Sequence, residues 1–179
     1  MSTHEMTDQN TRTHEAPAVG PVPDGYTSIT PYLCVDGAAA AIDFYTAVFG
    51  ARLVSRNDGP GGTVAHAELD FGNGRIQLSD PAPDHNLRAP DGSDAVTHSC
   101  VHYCADVDRV YAAAASAGAK GYGEPETFVT GDRYAALLDP FGHRWTLMTR
   151  VEDVDPAEAE RRVDEWLASQ SEEQGESQA

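Results

Sequence analysis

The sequence predicts an α+β fold made of two tandem β-α-β-β-β units. Three observations lead to this prediction. The order of strands and helix predicted for residues 26–80 recurs in residues 97–150, each predicted helix begins at an aspartate, and each ends at a Gly-Ala pair. The aspartates, Asp36 and Asp106, are 70 residues apart and the Gly-Ala pairs are 68 apart. This near-constant offset indicates an internal repeat.

In the first unit, apolar residues recur at helical spacing before Gly50, which predicts a helix over residues 37–49. A strand is predicted before this helix, and the Asn73-Gly74 pair predicts a two-residue hairpin that pairs Asp70 with Gln77. The strands of this unit are predicted at 28–35, 51–56, 64–71 and 75–79.

The second unit follows a linker, residues 81–96, that is rich in Pro, Asp and Gly. Its helix is predicted at 107–117. Asp139-Pro140-Phe141-Gly142 predicts a turn between the last two strands, because proline presets φ and glycine allows the reversal. The strands are predicted at 97–104, 120–123, 133–138 and 144–149.

The flanking segments differ in character. Residues 1–25 are polar and proline-containing, which predicts a disordered leader without the apolar region of a signal peptide, and therefore a cytoplasmic protein. Residues 155–169 begin with a capping aspartate followed by proline, which predicts a helix, and residues 170–179 are predicted to form a disordered tail. No apolar run approaches the roughly 20 residues of a membrane-spanning helix.

The net charge is −17, from 29 acidic and 12 basic residues. Such a chain repels nucleic acid phosphates and anionic membranes, so neither is expected as a partner. The three cysteines, Cys34, Cys100 and Cys104, are odd in number and lack a metal-binding spacing. They are predicted to be reduced, buried thiols.

Motifs in both units resemble the vicinal oxygen chelate superfamily, which includes glyoxalase I, extradiol dioxygenases, and bleomycin- and fosfomycin-resistance proteins. The resemblance is greatest to the PhnB-like, glyoxalase-related branch. It implies a glyoxalase-like fold over residues 26–154, with eight strands forming a cleft that a homodimer completes. The motifs are the segments Ile29 to Gly37, Ile42-Asp43-Phe44-Tyr45, Phe49-Gly50-Ala51, Ala65 to Leu69, Leu78-Ser79-Asp80, Asp106-Val107-Asp108 and Gly131 to Trp145.

In metal-dependent relatives, four inward side chains, mostly His, Glu or Gln, hold a divalent ion. The motifs map these positions onto Thr30, Gln77, Ser99 and Thr146. Only Gln77 is a usual ligand, since neutral hydroxyls bind such ions weakly compared with imidazole and carboxylate. The resemblance therefore implies that the four-ligand centre is lost and that no cofactor is required. A divalent metal held by an altered set of residues remains an alternative.

Strand alternation gives the candidate catalytic residues. It places His66 and Glu68 on the cleft face together with Gln77. These two side chains are candidates for a base or for a displaced metal pair. The alternative is a hydrogen-bonded structural histidine beside a solvated glutamate.

The candidate ligand-binding residues come from both units. On the strand near residue 100, the motif register turns Ser99 and Tyr103 to the cleft and turns the alternating His and Cys residues to the helix. Arg144 shares a strand face with Thr146 and is the better candidate for an anion contact, with a surface or interface salt bridge as the alternative, whereas Trp145 points into the core. Arg133 is either a ligand contact or half of an ion pair. The predicted ligand-binding set is Tyr32, Gln77, Ser99, Tyr103, Arg133, Arg144 and Thr146.

These observations favour a small-molecule-binding protein of the glyoxalase/bleomycin-resistance type that holds an organic ligand in its cleft. Two alternatives remain open. One is a metal-dependent lyase, isomerase or dioxygenase that uses His66, Glu68 and Gln77. The other is a metal-free acid–base enzyme that uses His66 or Glu68.

Overall fold

A computed structural model describes residues 19–176, with side chains through Ser171. The first unit forms a four-stranded sheet in the order β1-β4-β3-β2, in which β1 is parallel to β4 and the other neighbours are antiparallel. One helix covers this sheet. The elements are β1 (Tyr32–Cys34), α1 (Ala38–Phe49), β2 (Arg52–Asp58), β3 (Val64–Asp70) and β4 (Arg75–Ser79).

The second unit repeats this arrangement in the order β5-β9-β8-β6, with β5 parallel to β9 and a short β7 also paired with β8. The predicted α+β class and the order of elements are therefore confirmed. The strands form two sheets, and β7 is a two-residue strand that the sequence did not predict. The elements are β5 (Cys100–Tyr103), α2 (Val107–Ser116), β6 (Lys120–Gly121), β7 (Glu126–Thr127), β8 (Asp132–Leu138) and β9 (Arg144–Arg150).

The two units share one hydrophobic core. Tyr45 and Phe49 of α1 pack against Trp145 of β9, with ring centroids 5.3 and 4.9 Å away. Phe71, from the loop after β3, stacks on the same indole. Trp145 is fully buried, as predicted, and it joins the second sheet to the helix of the first unit.

The Asp-Pro-Phe-Gly turn also connects the units. The Asp139 carboxylate is only 3% exposed and accepts hydrogen bonds from Tyr45 Oη at 2.7 Å and Trp145 Nε1 at 2.9 Å. It also accepts from the backbone N–H groups of Phe141 and His143, both at 2.9 Å. Burial and the nearby carboxylate raise the pKa of Tyr45 well above its usual value, so its hydroxyl remains a donor. This turn therefore stabilises the packing between units.

The predicted register of the β3–β4 hairpin is wrong by two residues. Asp70 pairs with Arg75 and Glu68 with Gln77, so the loop contains four residues instead of two. The physical reason is Phe71, which leaves the strand and packs against the core. A shift of two residues keeps every side chain on its predicted face, because strand side chains alternate with period two.

The C-terminal helix α3 spans Pro156–Glu176 and begins with the Asp155 carboxylate, which accepts from the N–H of Ala157 at 2.9 Å. It continues past residue 169, so most of the segment predicted as a tail is helical. Arg162 docks the helix through two 2.9 Å contacts with Glu152. Residues 1–18 of the predicted leader and residues 177–179 lie outside the described residues. None of the described helices is both long enough and apolar enough to cross a membrane.

All three cysteines are free thiols. Cys34 is buried, whereas Cys100 and Cys104 are half-buried. Burial raises the pKa of Cys34 and of Cys100, which keeps these thiols protonated and unreactive near neutral pH. The prediction of reduced thiols agrees with this arrangement. The predicted burial is complete for Cys34 and partial for Cys100 and Cys104.

Candidate functional site

Each sheet has one face on the core and one face turned away from it. On the first sheet this second face, called here the first open face, carries Tyr32, His66, Glu68, Arg75 and Gln77. Tyr32 pairs with Gln77 across β1 and β4, and Gln77 pairs with Glu68 across β4 and β3. The His66 ring lies 6.1 Å from the Tyr32 ring. Four predicted site residues are thus brought together.

Arg75 belongs to the first open face but was missed from the sequence. Its guanidinium lies 4.6 Å above the ring of Tyr26, and its Nη1 lies 3.5 Å from an oxygen of Glu68. The signal was present, because Arg75 stands two residues before Gln77 and therefore shares its strand face. Arg75 adds a positive charge to a face that also carries the Glu68 carboxylate and the Gln77 amide.

The second sheet has a corresponding second open face, which carries Ser99, Val101, Tyr103, Arg144 and Thr146. Val101 pairs with Thr146 across β5 and β9, and Ser99 Oγ lies 3.1 Å from Thr146 Oγ1. Val101 and Tyr103 are 56% and 61% exposed, which leaves a large apolar surface uncovered in a single chain. The sequence predicted this direction for the odd-numbered residues of β5.

The other side of β5 lies against the core, as predicted. His102 is buried between the rings of Phe49 and Phe71, whose centroids are 5.5 and 5.3 Å away. Burial lowers the pKa of His102, so the imidazole is neutral at pH 7. Cys100, His102 and Cys104 are therefore packing residues, whereas His98 precedes β5 and is exposed.

Arg144 lies on the second open face, where its guanidinium stands 4.9 Å above the ring of Tyr122. Among the described residues it forms no salt bridge. This position agrees with the predicted face and leaves the guanidinium donors available to a ligand. Tyr122 is a second aromatic residue that was missed from the sequence.

Arg133 is placed differently from the other predicted ligand residues. It alternates with Ala135 and Leu137, which are buried, and so points to the helix side of β8. There its guanidinium forms two hydrogen bonds of 2.7 and 2.6 Å with the carboxylate of Asp108 on α2. Of the two roles left open for Arg133, this geometry favours the ion pair between sheet and helix.

The four positions that the resemblance maps onto the metal ligands of metal-dependent relatives do not suit a metal here. Ser99 and Thr146 hydrogen-bond each other, and Thr30 Oγ1 donates to the Thr27 carbonyl at 3.4 Å. Three neutral hydroxyls with the Gln77 amide make a poor donor set for Zn²⁺, Ni²⁺ or Fe²⁺. Within residues 19–171, no three His, Cys, Asp or Glu side chains are placed to bind a metal together.

A cavity of about 480 Å³ connects the two open faces at their edges. Arg75 of the first face lines it together with Ser99, Val101 and Tyr103 of the second. A larger groove of about 660 Å³ lies elsewhere, along residues 81–91 of the linker. The smaller cavity is the better site candidate of these two, because it joins aromatic, hydroxyl and guanidinium groups. Gln77, Arg144 and Thr146 lie on the adjoining open faces and are not part of its lining.

This architecture, two β-α-β-β-β units with polar open faces and a shared core, defines a glyoxalase-like α+β protein. Residues 25–147 match the family model described as the Glyoxalase/Bleomycin resistance protein/Dioxygenase superfamily. The chain belongs to this superfamily, and the family predicted from its motifs is confirmed.

Comparisons with individual proteins show one sequence relative and two structures of similar fold. The chain is 35% identical over 134 residues to the Mycobacterium tuberculosis protein Rv0887c, covering 72% of this chain and 77% of the relative. In fold it is similar to TioX from Micromonospora sp. ML1, with a TM-score of 0.54, 23% identity, and coverage of 69% and 98% of the two chains. It is also similar to the PhnB protein from Bacillus cereus, with a TM-score of 0.53, 23% identity, and coverage of 69% and 99%.

Proposed function

We propose that this protein is a homodimeric small-molecule-binding protein whose ligand site is formed by the two open faces. The supporting observation is the uncovered second face, where Val101 and Tyr103 lie exposed beside the polar pair of Ser99 and Thr146. Exposed apolar groups beside convergent polar groups are typical of a site for an organic ligand. A second copy of the chain would cover the remaining apolar surface.

The ligand contacts would come from both sheets. On the first face, Tyr32 offers an aromatic wall and Gln77 offers both a donor and an acceptor. On the second face, Tyr103 offers a stacking surface, and Thr146 and Ser99 offer hydroxyl groups. Such a site binds a ligand by stacking and hydrogen bonding and needs no metal ion.

His66 and Glu68 lie at the edge of this proposed site. Glu68 faces the Arg75 guanidinium, and His66 faces Tyr32. The metal-dependent and acid–base alternatives both require these two side chains. We propose instead that they contribute to the shape and charge of the ligand site. The cytoplasmic location predicted from the sequence remains part of this proposal.

Native mass spectrometry of the protein purified without chelator tests the proposal. We expect a dimer carrying a small organic molecule, and we expect Tyr103→Ala and Gln77→Ala each to reduce its occupancy. Leu167→Ala serves as a control, because Leu167 is an exposed apolar residue on α3, outside both open faces. A bound molecule that is retained in the Tyr103 and Gln77 variants and lost in the control would contradict the proposed site.

Metal analysis of the same preparation separates the alternatives. A stoichiometric divalent metal that disappears in His66→Ala would overturn the metal-free proposal and favour the lyase, isomerase or dioxygenase. Turnover that resists EDTA and is abolished by His66→Ala or Glu68→Gln would favour the acid–base enzyme.

A further inference from the structure

The repeat places one arginine at the same strand position in each unit. Arg75 is the first residue of β4 and precedes Gln77 by two residues, whereas Arg144 is the first residue of β9 and precedes Thr146 by two. In both units this last strand is parallel to the first strand of the unit. Arg75 and Arg144 are therefore equivalent, one on each open face.

Arg75 is held in place but is not saturated with hydrogen-bond partners. Its side chain is only 15% exposed, and its nearest carboxylate, that of Glu68, lies at the long distance of 3.5 Å. Its Nε is buried and has no acceptor within the described part of the chain. A guanidinium has five donors, and a buried donor without a partner is costly. The Tyr26 ring beneath the group fixes the plane of these donors.

Arg144 likewise has an aromatic ring, that of Tyr122, beneath its guanidinium, but unlike Arg75 it has no carboxylate partner among the described residues. Several arginines outside the open faces are paired with acidic side chains, whereas Arg88 and Arg109, like Arg144, form no salt bridge within the described residues. Arg133 and Arg162, for example, form paired hydrogen bonds with acidic side chains. What distinguishes Arg144 is its position, since its guanidinium is held over the Tyr122 ring on the same open face as the Ser99 and Thr146 hydroxyls, where a ligand could reach it.

We propose that Arg75 and Arg144 each bind one anionic group of the ligand. The ligand is then a small organic dianion that carries two carboxylates, or one carboxylate and one phosphate-type group. The planar guanidinium fork matches either group in a bidentate manner. The aromatic and hydroxyl groups of the two open faces would then contact the body of the molecule. This inference depends on the proposed function, since it requires that both open faces contribute to one site.

Calorimetric titration with defined probes tests the inference. The probes are straight-chain dicarboxylates from succinate to azelate, their monomethyl esters, and phosphonocarboxylates of matching length. We expect one length to bind best, and its monomethyl ester to bind at least about tenfold more weakly, as a lost charge-assisted contact predicts. Comparison of the dicarboxylates with the phosphonocarboxylates identifies which second anionic group the site prefers.

Variants assign this binding to the two arginines. Arg75→Gln and Arg144→Gln should each weaken the best probe at least about tenfold, and Arg144→Lys should restore part of the loss because it keeps the charge but not the fork. Arg109→Gln is the matched control, since Arg109 is exposed on α2, outside both open faces. Thermal unfolding of each variant tests whether it folds. If Arg75→Gln does not fold, the binding of the probe to Arg144→Gln decides whether the inference holds.

Two outcomes would overturn the inference. One is the absence of binding by every dianion up to millimolar concentration. The other is binding that is equal for diacid and monoester, or unchanged in Arg144→Gln. A neutral ligand that depends on Tyr103 and Gln77 but not on either arginine would overturn this inference and leave the proposed function intact.

Discussion

Replacing Asp139 with alanine should destabilise the fold far more than any surface substitution. The change leaves the Tyr45 hydroxyl and the Trp145 indole N–H without an acceptor in the buried interface between the units. Each buried unsatisfied donor costs about 1–3 kcal/mol, and the two together cost about 2–6 kcal/mol. The two backbone N–H groups of the turn also lose their partner, although water reaches a loop more easily. We therefore expect a loss of about 3–5 kcal/mol, a large part of the stability of a typical domain.

Urea unfolding at pH 7.5, followed by tryptophan fluorescence, measures this loss. Tyr45→Phe removes one donor while Asp139 keeps three, so we expect a smaller cost of about 1 kcal/mol. Asp91→Ala is the matched control, because Asp91 is exposed and accepts only from the N–H of Ser93, and it should change stability by at most about 0.5 kcal/mol. An Asp139→Ala protein within about 1 kcal/mol of the wild type, at an equal m-value, would refute the reasoning.

Two further predictions concern a buried histidine and a turn. Burial lowers the pKa of folded His102 below the value of about 6.5 expected in the unfolded chain, so the unfolded state binds more protons at acidic pH. The free energy of unfolding should therefore fall as the pH drops from about 7 towards 5. Unfolding curves of His102→Phe should show a smaller fall. An equal fall would contradict the account of His102 as a buried, neutral histidine. Gly131 has φ +88°, and a Cβ there would lie 2.7 Å from the carbonyl oxygen of Glu152. Gly131→Ala should lower the free energy of unfolding in urea by about 2 kcal/mol or more. Gly92→Ala is the control and should cost about 1 kcal/mol, because φ is +84° there but no atom lies within 4 Å of the added Cβ. Equal costs would show that the structure relieves the clash at Gly131.

Local patterns predicted most of the elements. The helix over residues 37–49 begins one residue later than predicted, at Ala38, and ends as predicted at Phe49, because Gly50 takes a left-handed conformation at its end. The strand Arg75–Ser79 has the predicted bounds. In both cases the signal lies within the segment itself.

Features that depend on tertiary contacts were not predicted correctly. The hairpin loop is longer than the Asn73-Gly74 pair suggested, because burying Phe71 in the core outweighs the preference for a tight turn. The additional strand β7 contains only Glu126 and Thr127, and pairing with β8 defines it instead of its own composition. Such pairings are set by the rest of the fold.

The candidate site was predicted in part. Alternation along a strand placed Gln77 and Thr146 on the open faces. The same alternation should have placed Arg75 on the first open face, because Arg75 lies two residues before Gln77. It should also have excluded Arg133 from the second open face, because Arg133 alternates with buried residues of β8. The aromatic partners Tyr26 and Tyr122 lie outside the long strands, so their contacts with the arginines depend on chain paths that periodicity does not report.

The chain as a whole is acidic, yet the inferred ligand is an anion. The distant acidic residues weaken long-range attraction, and salt screens charges beyond about 8–10 Å. A guanidinium in direct contact with a carboxylate is affected much less by this field, because the contact is short and partly removed from water. The inferred specificity therefore depends on local geometry at Arg75 and Arg144.

A crystal structure of the protein, solved with any molecule that copurifies with it, tests the account most directly. We predict that this molecule lies between the first and second open faces and contacts Gln77 and Thr146, with an anionic group on Arg144. A molecule bound in the groove of residues 81–91, or a metal ion held by His66 and Glu68 on the first open face, would contradict the account.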